Sequence, residues 1–531
     1  MNLESFGSVP ALEPFKDFTY FGFLLIYVAV PALLLGLFGR ANARWALFVT
    51  VVLGAVQLQR PHEIWAGFAL REVWIAAIFL VWQWLIAITF LRFKFRGAFP
   101  LALTLATLPV ALAKYVPPFA PHTEIAFLGI SYVTFRALDV VFSIRDRVVT
   151  SVPPVTYVGF LFFFPTISEG PIDRFRRFSQ DWQRTRNREE FLNDLDHAIQ
   201  RLFRGFLYKF IVANLVFRHF VEPWSVGGAA HVLGYMYAYT FYLFFDFAGY
   251  SAFAISISYL LGVHTVENFN KPFLSPNIRD FWTRWHISLS FWFRDHIYMR
   301  FLLAVAKGKW FKSKHTASYV GLFLTFGLMG VWHGPHWYYW LYGIYHAALL
   351  CGYDWFARWN KTRKLLEGPA WKWVNILITF HVIAFGLLLF SGRFEPKPLP
   401  EREEVVDKLT CQEIAGYVWN RQTPKTPAVL DISMDGHTIG RVTANELRDD
   451  LVERGMGNGR YGFHFALPKS VHDGKEHWVM PVLVGPPPRV ISGPDIPENL
   501  YKVTCNTPGK EGANPAAKPT PPPATPVPSP R

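Results

Sequence analysis

The chain has 531 residues, 51% hydrophobic and 17% aromatic with 50 Phe and 20 Trp, and a formal charge of +14. A soluble globular domain has no use for so much aromatic surface, and cations clustered beside apolar runs signal membrane orientation and surface attraction rather than nucleic-acid binding. Three cysteines, Cys351, Cys411 and Cys505, are too few for a disulfide framework and leave the redox compartment open.

The first apolar run, Phe18 to Phe38, follows a weakly acidic segment containing Glu4, Glu13 and Asp17. It has no basic leader and no small-residue cleavage site, so it reads as a retained helix. Arg40 and Arg44 follow it, and Arg92, Lys94 and Arg96 follow the run Val73 to Leu91. With Trp45 to Leu58 returning between them, the positive-inside rule places the N-terminus outside and both basic loops in the cytoplasm. Further runs are Ala98 to Leu112, Ile125 to Val141 and Val155 to Phe164. Several fall short of the roughly 20 residues that a perpendicular span needs, which predicts broken, re-entrant or interfacial helices.

The next stretch, Ser168 to Asn193, gathers Arg174, Arg176, Arg177, Arg184, Arg186 and Arg188. It reads either as a positive-inside loop followed by an amphipathic helix or as a docking face for an acidic partner. Ala198 to Val221 interleaves Arg201, Arg204, Lys209 and Arg218 with large apolar residues, the pattern of a helix lying in the interface. Ala229 to Val263 is too long for one span and holds Asp246, which must face the bundle interior and find a partner there. It serves either as an acceptor pinning two helices or directly in chemistry.

If Asp280 to Arg300 is one helix, Thr283, His286, Ser290 and Arg294 form a polar stripe opposite Trp282, Trp285, Leu289, Trp292 and Phe293. Such a stripe either lines an internal cavity or reflects interfacial amphipathicity. A cationic cluster, Lys307, Lys309, Lys312 and Lys314, marks a cytoplasmic or interfacial turn. The apolar run Tyr319 to Val331 then ends in Trp332-His333-Gly334-Pro335-His336, where an imidazole is costly unless the place is polar, wet or catalytic. His333 is therefore the first candidate for chemistry and His286, 47 residues upstream, the second. His336 and His346 read as interfacial or packing residues, Cys351 as a core residue, and no carboxylate or Cys stands at metal-ligand spacing near His333. The runs Trp337 to Tyr353 and Trp373 to Leu389 bring the expected total to about eleven membrane segments.

Five motifs in order carry a resemblance: Gly170 to Phe175, Phe245 to Ser251, Asn268 to Phe273, Phe281 to Met299 and Val331 to Gly334. Over residues 15–395 the chain resembles the membrane-bound O-acyltransferase (MBOAT) superfamily. It is most similar to the DltB branch, which transfers D-alanyl groups, with AlgI-type alginate O-acetyltransferases next. The resemblance implies an all-α polytopic bundle around a tunnel, with His333 as the catalytic histidine and His286 as its active-site companion. It further implies transfer from a phosphopantetheinyl thioester on a cytoplasmic acyl carrier protein to a hydroxyl of an envelope polymer outside, in a bacterial cell membrane. Ser290, Arg294, Thr283, Asp246, Trp285 and Trp332 are the candidate lining or supporting residues, and Arg174, Arg176 and Arg177 the candidate carrier-docking residues. An alcohol has a pKa far above the imidazole's value of about 6.5, so a neutral histidine takes the proton only as attack begins. A thioester already carries a good leaving group, so no metal or bound cofactor is called for at the transfer step. The rival reading is a non-enzymatic conduit or scaffold for polymer export.

The resemblance ends near Arg393. Residues 1–394 are expected to form the acyltransferase domain, 395–409 a linker, 410–488 a small β-sandwich-like domain and 489–531 a disordered Pro-rich tail. Alternation in Ala428 to Gly440 predicts a hairpin turning at Asp435-Gly436. That domain either binds a glycan or protein partner or stabilises the complex. Eleven spans from an outside N-terminus place it in the cytoplasm.

Overall fold

The computed structural model describes residues 15, 18–39, 41–42, 45, 47–49, 71–116, 127–225, 228–363, 368–395, 402–421, 423, 425–484, 489–490 and 501–505. The returning run Trp45 to Leu58 and the Pro-rich tail lie largely outside these residues. The chain divides into two compact units, Met1–Glu395 and Pro396–Arg531.

The first unit is helical. Among the described residues five helices are long and apolar enough to cross a membrane: Tyr20–Leu37, Val73–Arg92, Ala98–Tyr115, Ala229–Leu260 and Pro369–Phe390. The rest of the expected eleven falls on shorter or more polar helices and on undescribed residues. The Val155 to Phe164 run falls on helix Pro154–Leu161 and the 3-10 turn Phe164–Thr166. The whole stretch, Pro154–Thr166, is about 20 Å long, well short of the roughly 30 Å hydrocarbon core.

The His333 motif sits at the tip of a helical hairpin, Lys314–His333 and Trp337–Arg363. Glycines bring the two backbones together. A Cβ at Gly343 would lie 2.3 Å from the Phe326 carbonyl oxygen, and one at Gly330 2.5 Å from that of Tyr339. Helix Pro369–Phe390 closes over the hairpin, where Phe390 meets the His333 ring at 4.8 Å.

The expected single helix from Asp280 to Arg300 is not formed. Helix Ile278–Trp282 stops, and His286 takes a left-handed conformation (φ 43°, ψ 52°) as the residue before helix Ile287–Phe293. A π-helical turn, Arg294–Tyr298, follows. The break disperses the expected stripe, because a residue with positive φ reverses the local chain direction.

The second unit holds two antiparallel sheets. One orders the strands Arg402–Leu409, Glu413–Asn420, Arg460–Ala466 and Glu446–Leu447. The other orders Arg489–Val490, Glu476–Leu483, Ala428–Met434 and His437–Ala444, with Lys502–Thr504 also paired to Glu476–Leu483. Val406, Ile414, Leu430, Ile432, Phe463 and Val479 of both sheets share one core. The Asp435-Gly436 turn forms as expected, both residues at positive φ. Two boundaries shift: the expected linker 395–409 contains the strand Arg402–Leu409, and the expected tail supplies Lys502–Thr504 and a disulfide from Cys505 to Cys411.

Substituting Gly343→Ala should cost roughly 1–3 kcal/mol, since neither backbone can yield to the new methyl, whereas Gly327→Ala, with open space around it, should be neutral. Thermal unfolding in detergent checks both. In the β unit, the His477 ring bonds Asp435 through Nδ1 (2.7 Å) and Asp473 through Nε2 (2.9 Å). These bonds raise the imidazole's pKa. The His477 bond lowers that of Asp435, and a Lys475 backbone N–H followed by the His477 bond lowers that of Asp473. The imidazole's contribution to stability is therefore complete below its unfolded pKa and is lost as pH rises through the raised folded value. The carboxylates' share is lost as pH falls through their lowered values. Hydrogen exchange over residues 430–440 should distinguish the wild type from His477→Gln between those limits, with the difference closing above the imidazole's titration.

Candidate active site

His286 and His333 come from different segments and line one cavity of about 80 Å³, with Leu243, Phe247, Trp285, Tyr342 and Phe390 among its walls. The walls are almost wholly apolar. His286 is 6% exposed, its ring stands edge-on to Phe247 at 4.8 Å, and its Nδ1 has no hydrogen-bond partner among the described residues. A lone imidazole nitrogen in such a place is free to act on what enters.

The left-handed His286 backbone is held by its neighbours. The buried Asn268 accepts a hydrogen bond from Ser288 Oγ at 2.6 Å and donates to Ser251 Oγ at 3.2 Å, and its carbonyl accepts from Ile287 N at 3.0 Å. Ser288 Oγ in turn accepts from Ile172 N at 2.9 Å. Four of the five sequence motifs thus meet in one buried network directly beside His286. His333 is the last residue of its helix, where terminal carbonyls lack helical partners. Lys114 donates to the Trp332 carbonyl and Tyr115 to that of Val331. Trp332 packs on the His333 ring at 4.5 Å and on Phe135 at 5.0 Å.

A second cavity, about 300 Å³, holds the remaining stripe residues, Thr283, Ser290 and Arg294, together with Arg279, Ser318 and Asp354. Trp282 and Met329 line both cavities. Ser318 precedes His333 by 15 residues on one helix, which separates the polar mouth from the histidine by about 22 Å.

The other candidates fall elsewhere. Asp246 pairs with Lys209 Nζ at 2.5 Å, joining two segments. Arg174 bonds Asp139 at 2.9 Å and Asp295 at 3.1 Å, and Arg177 bonds Asp181 at 2.8 Å and also Asp173. Both are committed to internal pairs, so of the expected docking trio only Arg176 stands exposed. His336 bonds Glu395 at 2.8 Å, and His346 is buried against Trp282 and Tyr342. Lys114, Tyr115, Arg279 and Asp354 escaped the sequence reading, since a cation at the end of an apolar run signals only a helix terminus.

The membrane-bound O-acyltransferase family model matches residues 122–392, which span both histidines and all five motifs. The chain belongs to that family. It is an O-acyltransferase of the bacterial membrane that crosses the bilayer several times. It is 40% identical over 398 residues to the teichoic acid D-alanyltransferase of Bacillus subtilis (strain 168), which covers 72% of this chain and 98% of that protein. The protein of the same name from Streptococcus thermophilus is 37% identical, over 72% of this chain and 96% of its own length. The probable alginate O-acetylase AlgI of Pseudomonas aeruginosa is 32% identical over 52% of this chain and 50% of its own. Membership in this family makes the chain an enzyme and sets aside the conduit reading.

Two substitutions separate the backbone of position 286 from its side chain. His286→Gly and His286→Ala should both lose acyl transfer. The glycine variant should be the more stable by about 1 kcal/mol, because only it adopts positive φ without strain. Melting temperatures compared with transfer rates test this.

Proposed function

We propose that the protein moves an acyl group, D-alanyl, from the phosphopantetheine thioester of a cytoplasmic acyl carrier protein to a hydroxyl of a cell-envelope polymer. The observation that carries this reading is the meeting of His286 and His333 in an apolar cavity that shares Trp282 and Met329 with a polar-mouthed one. The D-alanyl group is favoured by relatives named teichoic acid D-alanyltransferase that match over nearly their whole length. In this reading the folded carrier stays outside the bundle and the acyl arm enters beside Arg279 and Arg294, exposed residues that line the larger cavity.

His333 acts as general base. The acceptor oxygen attacks the thioester carbonyl as its proton passes to the imidazole, and collapse of the tetrahedral adduct expels the thiolate, which takes that proton back from the imidazolium. His286 donates to the developing oxyanion. Thr283, Ser290 and Arg294 line the donor's approach, Trp285 and Trp332 hold the two histidines in place, and Asp246 pins its helix through Lys209. Transfer is direct, with no acylated enzyme between.

Proteoliposomes given D-alanyl-loaded carrier and polymer test this by mass spectrometry of the polymer. His333→Ala should insert normally and transfer about 10²–10⁴-fold more slowly. Undiminished D-alanyl transfer, an acyl–enzyme adduct, or acetyl in place of D-alanyl esters on polymer from expressing cells would each overturn the corresponding step. The last outcome is the one that the alginate O-acetylase relatives favour.

A further inference from the structure

The unit Pro396–Arg531 lies beyond the last residue matched by the family model, and the B. subtilis relative is matched over 98% of its length without it. Two independent observations bear on where this unit resides. The first is chemical. Cys411 and Cys505 form a disulfide with Cα atoms 5.6 Å apart, joining the start of the unit to its last described strand 94 residues on, while Cys351 in helix Trp337–Arg363 is free. Disulfides persist in oxidising compartments and are rare where glutathione and thioredoxin keep thiols reduced.

The second is electrostatic. Helix Pro369–Phe390 is entered through a stretch holding Arg358, Lys361, Arg363, Lys364 and Lys372, while only Arg393 and Lys397 follow it closely. Cations of short loops mark the cytoplasmic side, so this helix runs outward. Its neighbours agree. Helix Lys314–His333 begins beside Lys307, Lys309 and Lys312, and its far end meets Lys114 and Tyr115 at the end of helix Ala98–Tyr115, which itself begins after Arg92, Lys94 and Arg96. Near the exit of helix Pro369–Phe390, Arg393 lies over Tyr235, close to the start of helix Ala229–Leu260, whose other end receives Arg186 from the Arg174–Arg188 stretch. Each basic stretch named falls at one face, and the His333 turn and the exit at Phe390 fall at the other.

We propose that the unit Pro396–Arg531 is extracytoplasmic, carried out behind helix Pro369–Phe390, with the sheets between Arg402 and Thr504 closed there by the Cys411–Cys505 disulfide. Closure removes two electrons and two protons from the two thiols and passes them to a protein disulfide of the envelope, which leaves as a dithiol. This reverses the cytoplasmic placement expected from eleven crossings. The parity changes because the stretch Pro154–Thr166 is too short to cross and both its flanks stay at the basic face: Asp146 before it pairs with Arg300, and Arg174 after it pairs with Asp295. About ten crossings from an outside N-terminus end outside. The inference does not depend on which acyl group is transferred.

The test places single reporter cysteines in the full-length protein carrying Cys351→Ser and labels spheroplasts with a membrane-impermeant maleimide. Thr438→Cys, exposed at the hairpin end, should label before permeabilisation to the same extent as after it. Lys312→Cys should label only after permeabilisation, and the native pair should run as a disulfide on non-reducing gels of acid-quenched cells. Should Thr438→Cys fail to accumulate, Ser470→Cys, also exposed, gives the same reading. Labelling of the β-unit cysteine only after permeabilisation, or recovery of Cys411 and Cys505 as free thiols, would overturn the proposal.

Discussion

A single buried carboxamide holds the site together. Asn268 has no exposed surface, and its side chain and carbonyl tie Ser251, Ser288 and Ile287 into one cluster that Ile172 joins through Ser288. A left-handed non-glycine residue costs about 1–2 kcal/mol relative to ordinary helix. His286 stays in that conformation because the residues after it are fixed by bonds whose loss would strand buried polar groups, each worth roughly 1–3 kcal/mol. Four of the motifs are thus joined in one clamp, and what it positions is the His286 imidazole.

The same break in the chain divides the chemistry from the approach to it. Had Asp280 to Arg300 been one helix, His286 would have shared a face with Thr283, Ser290 and Arg294, and both imidazole and guanidinium would have opened into the same polar space. With the helix broken, His286 turns into a cavity of rings and aliphatic side chains, while the other three remain in the larger one, beside Arg279 and Asp354. Apolar walls around an imidazole keep it from the charged groups of the larger cavity. The Trp282 and Met329 walls common to both cavities are where that separation is thinnest.

How much of this the sequence announced follows from the range of each interaction. The long apolar runs at Phe18–Phe38, Val73–Leu91, Ala98–Leu112, Ala229–Val263 and Trp373–Leu389, the helix ending at His333 and the Asp435-Gly436 hairpin are local patterns, and each forms where it was expected. The break at His286 was not legible, because Trp285-His286-Ile287 contains neither Gly nor Pro and owes its backbone to partners as distant as Ile172. Arg174 and Arg177 looked like a surface cluster because charges adjacent in sequence suggest a solvated face; the carboxylates that occupy Arg174, Asp139 and Asp295, lie 35 and 121 residues away. The Cys411–Cys505 bond was equally hidden, since three cysteines give no hint which two will stand within reach. The strand Arg402–Leu409 resembled linker because its charges serve an edge strand, which is protected by such residues.

Every residue lining the histidine cavity lies between Leu243 and Phe390, and the tethers of His333 and His286 come from Lys114, Tyr115, Ile172, Ser251, Asn268 and Ser288. Relatives matched almost end to end do without the unit past Glu395. The β unit's two sheets share a core of their own, so each unit is stabilised by its own burial and the cavity's walls are built wholly within the helical one.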